Sequence, residues 1–231
     1  MSIYVHSDVL VPRNPEGEFL AASMLFVYVV IVIFELRKLY YALRSRGFPE
    51  HRAVYLNRKL VHVLGGGVVS LLVPVLFSSP LIPLIFSVIA ASIMIAYHRR
   101  GRLLWWFQVK DNSYEVNFAL VWGVSLLVLW LLLGEARYAV LPLIFISFGD
   151  AVTGFVRNLV VKKRTKHWVG TIAMLSITIP VGAVYAGLTG IVAAAASSVA
   201  EKFEARPIDD NVLIGLTSTL ILIIGGYAGF I

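Results

Sequence analysis

Six acidic residues lie inside or at the ends of apolar stretches: Glu35, Asp150, Glu201, Glu204, Asp209 and Asp210. An acid at the centre of a hydrocarbon layer costs about 2.5–3.5 kcal/mol on insertion scales. Residues of this kind are rare there and mark functional sites by default. Glu35 sits beside Arg37 and Lys38 and reads as an ion pair at the membrane surface. Asp150 stands in LPLIFISFGDAVTGFV, with Gly149, Gly154, Ser147 and Thr153 around it. The nearest following cation, Arg157, is about 9–10 Å away along a helix. Two readings are open for Asp150: a buried acid paired to Arg157 or a neighbouring helix, or a chemical group. The flanking glycines, which permit a bend or a close approach, favour the second. Glu201 closes a run of small residues and leads into Glu204, Arg206, Pro207, Asp209, Asp210 and Asn211. Asp209 can cap the last helix, but a cap does not account for the whole cluster. Oxygen-only ligands suit Mg²⁺, which takes one or two carboxylates, water and substrate phosphates. No zinc-ligand spacing is present.

Basic residues supply the complementary half. Arg58 and Lys59 precede His62, and Lys59 and His62 share a helix face at i and i+3. Gly65, Gly66 and Gly67 follow, weakening the helix where close packing or ligand approach is expected. After Asp150 comes RNLVVKKRTKHWVGT. Its end opens a helix whose free N–H groups can bind phosphate, which places Lys166, His167, Gly170 and Thr171 to hold a polyphosphate. The plainer alternatives are interfacial anchoring for Arg58 and Lys59 and anionic lipid head groups for the loop. Neither a Walker A loop nor the protein-kinase motif set is present.

The elements that position these groups follow from composition. The chain has 231 residues, 59% hydrophobic and 14% charged, with a mean hydropathy of +0.84. A soluble domain carries about 25% charged residues, so an ordinary soluble domain is excluded, as is a disordered chain. Without cysteine there is no disulfide framework, thiolate metal site or cysteine nucleophile. Apolar runs at Phe19–Leu36, Leu60–Phe77, Leu81–Tyr97, Val116–Leu133, Tyr138–Val156, Thr171–Leu188, Gly190–Phe203 and Val212–Ile231 predict an all-α, polytopic transmembrane bundle of about eight spans. It forms one domain over residues 1–231, with no soluble domain and no repeat. Eighteen of the twenty Lys and Arg fall in alternate loops, leaving Arg13 and Arg137 opposite. The net charge of +7 is therefore a topological signal rather than a nucleic-acid footprint. The positive-inside rule puts both termini outside and the polar groups at the cytoplasmic face.

Three motifs stand in a fixed order: Arg58-Lys59-x-x-His62; then Gly149-Asp150-Ala151-x-x-Gly154 with a basic loop ending Lys166-His167-Trp168-x-Gly170-Thr171; then Glu201 followed by Asp210-Asn211. The set, spanning about residues 58–215, resembles the polyprenol kinase family of CTP-dependent lipid kinases. That family includes dolichol kinase, phytol kinase and a fungal diacylglycerol kinase. It is more distantly similar to phosphatidate cytidylyltransferases. The resemblance implies transfer of the γ-phosphoryl group of CTP to a membrane isoprenoid alcohol with a divalent cation. It implies Asp150 and Asp210 as Mg²⁺ ligands, and Glu201 as a base or a further ligand. Lys59, Arg157 and Lys166 would cradle phosphate oxygens, and His62 would orient the alcohol or a phosphate. Arg58, Gly149, Gly154, His167, Gly170, Thr171 and Asn211 would complete the nucleotide site. In several relatives Lys-Ser precedes the glycine of the basic loop, where this chain has Lys166-His167-Trp168.

Three alternatives use the same features, the first a CTP-dependent diacylglycerol kinase. A CTP:lipid-phosphate cytidylyltransferase would attack the α-phosphate and release pyrophosphate. A transporter also carries intramembrane acids and broken helices, but here the polar residues gather at one face and no inverted repeat is visible. Spans two to four hold little polarity beyond Ser70, Ser87 and Ser92. An apolar groove there favours a long isoprenoid alcohol over a water-soluble acceptor, and with little to recognise a glycerol ester, diacylglycerol is expected to be the poorer acceptor.

Overall fold

The computed structural model describes residues 4–160, 167–204 and 208–231. Among these the chain is all helix and turn, with no sheet. Seven helices are long and apolar enough to cross a membrane: α1 (Pro15–Ser45), α2 (Glu50–Leu76), α3 (Leu81–Arg99), α4 (Tyr114–Leu133), α5 (Ala136–Val160), α6 (Trp168–Phe203) and α7 (Asp210–Tyr227). This is the architecture of a multi-pass integral membrane protein. Large apolar side chains such as Phe19, Met24, Ile31, Ile85, Val184 and Leu220 are exposed on the outer faces of the bundle, as lipid-facing helices require.

The expected sixth and seventh runs form the single element α6, and that element doubles back. Ala186 and Gly187 leave helical geometry, and Gly187 has φ +53° and ψ −134°, a conformation that side-chain-bearing residues avoid. Residues far apart in sequence then meet across the hairpin. Thr178 and Ser198 hydroxyls lie 3.4 Å apart, and the Lys202 ammonium sits 3.0 Å from the centre of the Trp168 ring. Gly182 and Gly190 bring their backbones together where any side chain would collide, so the small residues of this region serve close helix packing. Among the described residues the structure thus has seven candidate spans where about eight apolar runs were expected, because two of those runs are the antiparallel arms of α6.

The ends of the bundle are distinct. At one end the His6 N–H donates to the Leu131 carbonyl (2.8 Å), the Tyr227 hydroxyl to that of Tyr4 (3.2 Å), and the Arg13 N–H to the Ser78 hydroxyl (2.8 Å). Both chain ends therefore lie at one face. At the other end the segment between α3 and α4 folds inward. Leu104, Trp106 and Phe107 are buried against Ile33, Tyr40, Ala53 and Val54. The Asn57 amide ties α1 to this segment, donating to the carbonyls of Leu36 (2.8 Å) and Trp106 (3.1 Å).

Helix α5 is the most buried span. Leu141, Leu143, Phe145 and Ile146 are all inaccessible, which explains a run that is apolar on every side. Two π-helical turns, His62–Gly67 in α2 and Phe145–Gly149 in α5, face one another. Side chains at Gly66 or Gly67 would meet Phe118, Ser147 and Phe148, so these two glycines serve helix contact. π-Helical turns recur at functional sites because they re-aim the following residues. Here they stand directly beside His62 and Asp150.

Candidate functional site

The three acids converge from separate elements. Asp150 opens the α-helical part of α5 beyond its π turn, Glu201 ends the returning arm of α6, and Asp210 opens α7. One carboxylate oxygen from each lies within 4.8 Å of the others, and all three side chains are buried. The α6 hairpin is what returns Glu201 to the face where Asp150 already stands. For one Mg²⁺ with ligands at about 2.0–2.1 Å, oxygens on opposite sides are about 4.2 Å apart. The observed spread is within a small side-chain adjustment of that, and the donors are all hard oxygens. The cluster therefore fits a divalent cation.

Two cations face these carboxylates. Lys59 is buried, forms an ion pair with Asp150, and lies 3.6 Å from an Asp210 oxygen. Arg157 donates to both oxygens of Glu201, at 2.9 and 2.8 Å, the paired geometry that makes guanidinium–carboxylate contacts strong. The structure thus selects the neighbouring-helix pairing for Asp150, through Lys59, while Arg157 takes Glu201. Gly154 makes the Lys59 path possible. A Cβ there would stand 2.5 Å from the Tyr55 hydroxyl and 3.0 Å from Lys59 Cε. Gly149 instead packs on α6, where a Cβ would meet Thr178 at 2.7 Å.

His62 connects two environments. Its Nδ1 is 3.7 Å from an Asp150 oxygen, and its ring stacks on Phe118 at 4.1 Å between centroids. The same side chain lines an apolar cavity of about 160 Å³ between α1, α2, α3 and α4. Neither ring nitrogen has a hydrogen-bond partner, although the residue is buried. Arg58 also lines the cavity, with its guanidinium 3.9 Å from the centre of the Tyr114 ring. It is only 3% exposed, so the interfacial-anchor reading fails for Arg58, as it does for buried Lys59.

The remaining candidates are near the acids in different ways. Thr153 donates to the Gly170 carbonyl (3.1 Å), joining α5 to the start of α6. Gly170 lies against the Arg157 guanidinium, and Thr171 is buried with its hydroxyl unpartnered. His167 caps α6, its Nδ1 accepting from the Val169 N–H (3.1 Å), and is exposed. Asn211 donates to the Tyr114 carbonyl (3.3 Å) and keeps a buried, unpartnered Oδ1. Lys166 lies outside the described residues. Asp209 is the α7 cap, accepting from Val212 N–H (3.1 Å) and the Asn117 amide (2.9 Å). Burial, then the adjacent Asp210 charge, raises its carboxyl to about 6. Glu35 makes the expected exposed pair with Lys38, 2.5 Å.

Sequence reading missed Tyr55, His98, Gln108, Tyr114, Glu115 and Phe118. Glu115 carried a usable signal, because it stands one residue before the apolar run assigned to the fourth span. In the structure it lies inside α4, paired with His98. No family model, curated protein or solved structure matches this chain.

Proposed function

We propose that the protein is a lipid-alcohol kinase that transfers the γ-phosphoryl group of CTP to the hydroxyl of a membrane isoprenoid alcohol. The observation that carries this reading is the convergence of Asp150, Glu201 and Asp210 with Lys59 and Arg157 at one buried point, where His62 also borders an apolar cavity. Phosphoryl transfer needs charge neutralisation and alignment more than covalent chemistry, and these groups provide both. CTP as the donor rests on the motif resemblance.

Asp150 and Asp210 would hold Mg²⁺, with Glu201 as a third ligand. The ion, when bound, neutralises charge building on the phosphates. Both Glu201 oxygens accept from Arg157, which suits a fixed ligand better than a base. Lys59 and Arg157 direct positive charge at phosphate oxygens, and the opening of α6 beside Arg157 presents backbone N–H groups to them. His62 orients the alcohol from the cavity side. The new bond joins the alcohol oxygen to the γ-phosphorus. The bond from γ-phosphorus to the bridging oxygen breaks, CDP leaves with its electrons, and the hydroxyl proton is released to water.

The basic loops support a cytoplasmic face for this site. A cysteine replacing exposed Arg46, between α1 and α2, is then expected to react with impermeant maleimide only from the cytoplasmic side. Labelling from outside intact cells overturns the orientation. The acceptor is tested with purified protein, CTP and Mg²⁺ in matched micelles. Prenols of about twenty carbons or more are expected to be phosphorylated, several chain lengths alike, because apolar pockets discriminate weakly, at about 1–3 kcal/mol per methylene. A tenfold preference (about 1.4 kcal/mol) for diacylglycerol rejects the isoprenoid acceptor.

A further inference from the structure

The cavity that meets the acid cluster at His62 has a second polar group in its wall. Glu115 is 8% exposed, lines the cavity, and lies on the same α4 face as Phe118, Ala119 and Trp122, which line it too. One of its oxygens is fixed. Oε1 accepts from the Gln108 amide at 2.5 Å and pairs with His98 Nε2. The other, Oε2, is buried and has no hydrogen-bond partner. Burying a polar atom without a partner is costly, and such exceptions call for an explanation. The groove beyond is apolar. On α1 it is bordered by Ala22, Phe26 and Ile33, a run of about 16 Å along the helix.

We infer that this cavity is the acceptor site, that it takes a lipid with a single narrow tail and a terminal hydroxyl, and that Glu115 reads that hydroxyl. The assignment of the head as a hydroxyl rests on the kinase reading. A hydroxyl both donates and accepts. Glu115 Oε2 accepts its proton in a hydrogen bond, and a nitrogen of His62 faces its oxygen. Both of these groups are buried and lack a hydrogen-bond partner. His98 and Gln108 hold Glu115 in place, so they are positioning residues. The volume of about 160 Å³ is close to that of a cavity that holds one benzene ring. It has room for one chain segment, with the rest of the tail continuing between helices, and a glycerol carrying two acyl chains is the poorer fit.

The test uses the full chain in nanodiscs, without nucleotide or metal, and a geranylgeraniol analogue with a diazirine in its first isoprene unit. Irradiation is expected to label cavity side chains such as Phe26, Phe86 and Phe118. Excess geranylgeraniol should suppress the adducts and diolein should not. Filling the cavity from either wall, with Ala119→Phe or Ala90→Phe, should each reduce labelling at least about tenfold. Using two variants on different helices guards against one that does not fold. In turnover assays, Glu115→Gln should raise KM for the alcohol about tenfold or more, the worth of a hydrogen bond to a charged group. KM for CTP should not change. Adducts confined to lipid-facing side chains, or labelling that geranylgeraniol does not suppress, overturn the cavity assignment. So does phosphorylation with unchanged alcohol KM in both filled variants, which leaves the kinase reading standing. Competed labelling of the cavity with no phosphoryl transfer supports the cavity and sinks the kinase reading instead.

Discussion

Asp150→Asn is expected to lower phosphoryl transfer at least about a hundredfold, because losing a metal ligand removes several kcal/mol of transition-state charge neutralisation. Asp210→Asn should do the same. Both substitutions keep side-chain volume, and neither leaves Lys59 facing only uncharged groups, since it lies between the two acids. The variants should therefore remain folded, which a detergent melting curve checks. A second readout separates metal loss from misalignment: Mn²⁺ bound to the wild-type protein, followed by electron paramagnetic resonance, should weaken in both variants. Near-normal turnover in either one removes that residue from the site.

The other large effect concerns stability. Arg157 and Glu201 are buried partners joined by two hydrogen bonds. Removing one member of a buried pair costs about 3–5 kcal/mol, because the other charge stays buried, whereas replacing both with apolar residues of similar size is often neutral or stabilising. Arg157→Met alone should thus strongly destabilise the protein. Adding Glu201→Leu should recover most of the loss, and the double-mutant cycle should show coupling well above 1 kcal/mol. Activity should be absent in both, since the phosphate-facing cation is gone from each and Glu201 from the double variant as well. A cost under about 1 kcal/mol for Arg157→Met would mean that the pair behaves as an exposed one, and the buried-site description would be wrong.

Much of this arrangement was legible in the chain because a membrane makes polarity conspicuous. Asp150, Glu201 and Asp210 stood out against apolar surroundings, and the structure gathers all three. Lys59 and His62, one helical turn apart, both reach Asp150. The pairing pattern was not legible: Asp150 is joined to Lys59 rather than Arg157 because α2 crosses α5 at Gly154, a tertiary contact with no local signature. The hydropathy pattern also misplaced the start of the second span. Leu60 looked like its beginning, but the helix starts at Glu50, and its charged extension carries the buried residues Asn57, Arg58 and Lys59. The same bias hid Glu115, which stands just outside the apolar run beginning at Val116 although it lies within the helix. The α6 reversal was closer to readable. The run was divided at Gly190, three residues beyond the φ +53° turn at Gly187, because glycine and small residues mark both the turn and the close packing around it.

The most direct measurement of the central claim is the fate of CTP labelled differently at its α and γ phosphates, incubated with purified protein, Mg²⁺ and a long-chain prenol. Phosphoryl transfer by the Asp150, Glu201 and Asp210 site puts only the γ label into the lipid, with CDP as the released nucleotide. The signal should vanish in Asp150→Asn. Appearance of the α label in the lipid with release of pyrophosphate, or γ-label transfer undiminished in Asp150→Asn, would contradict it.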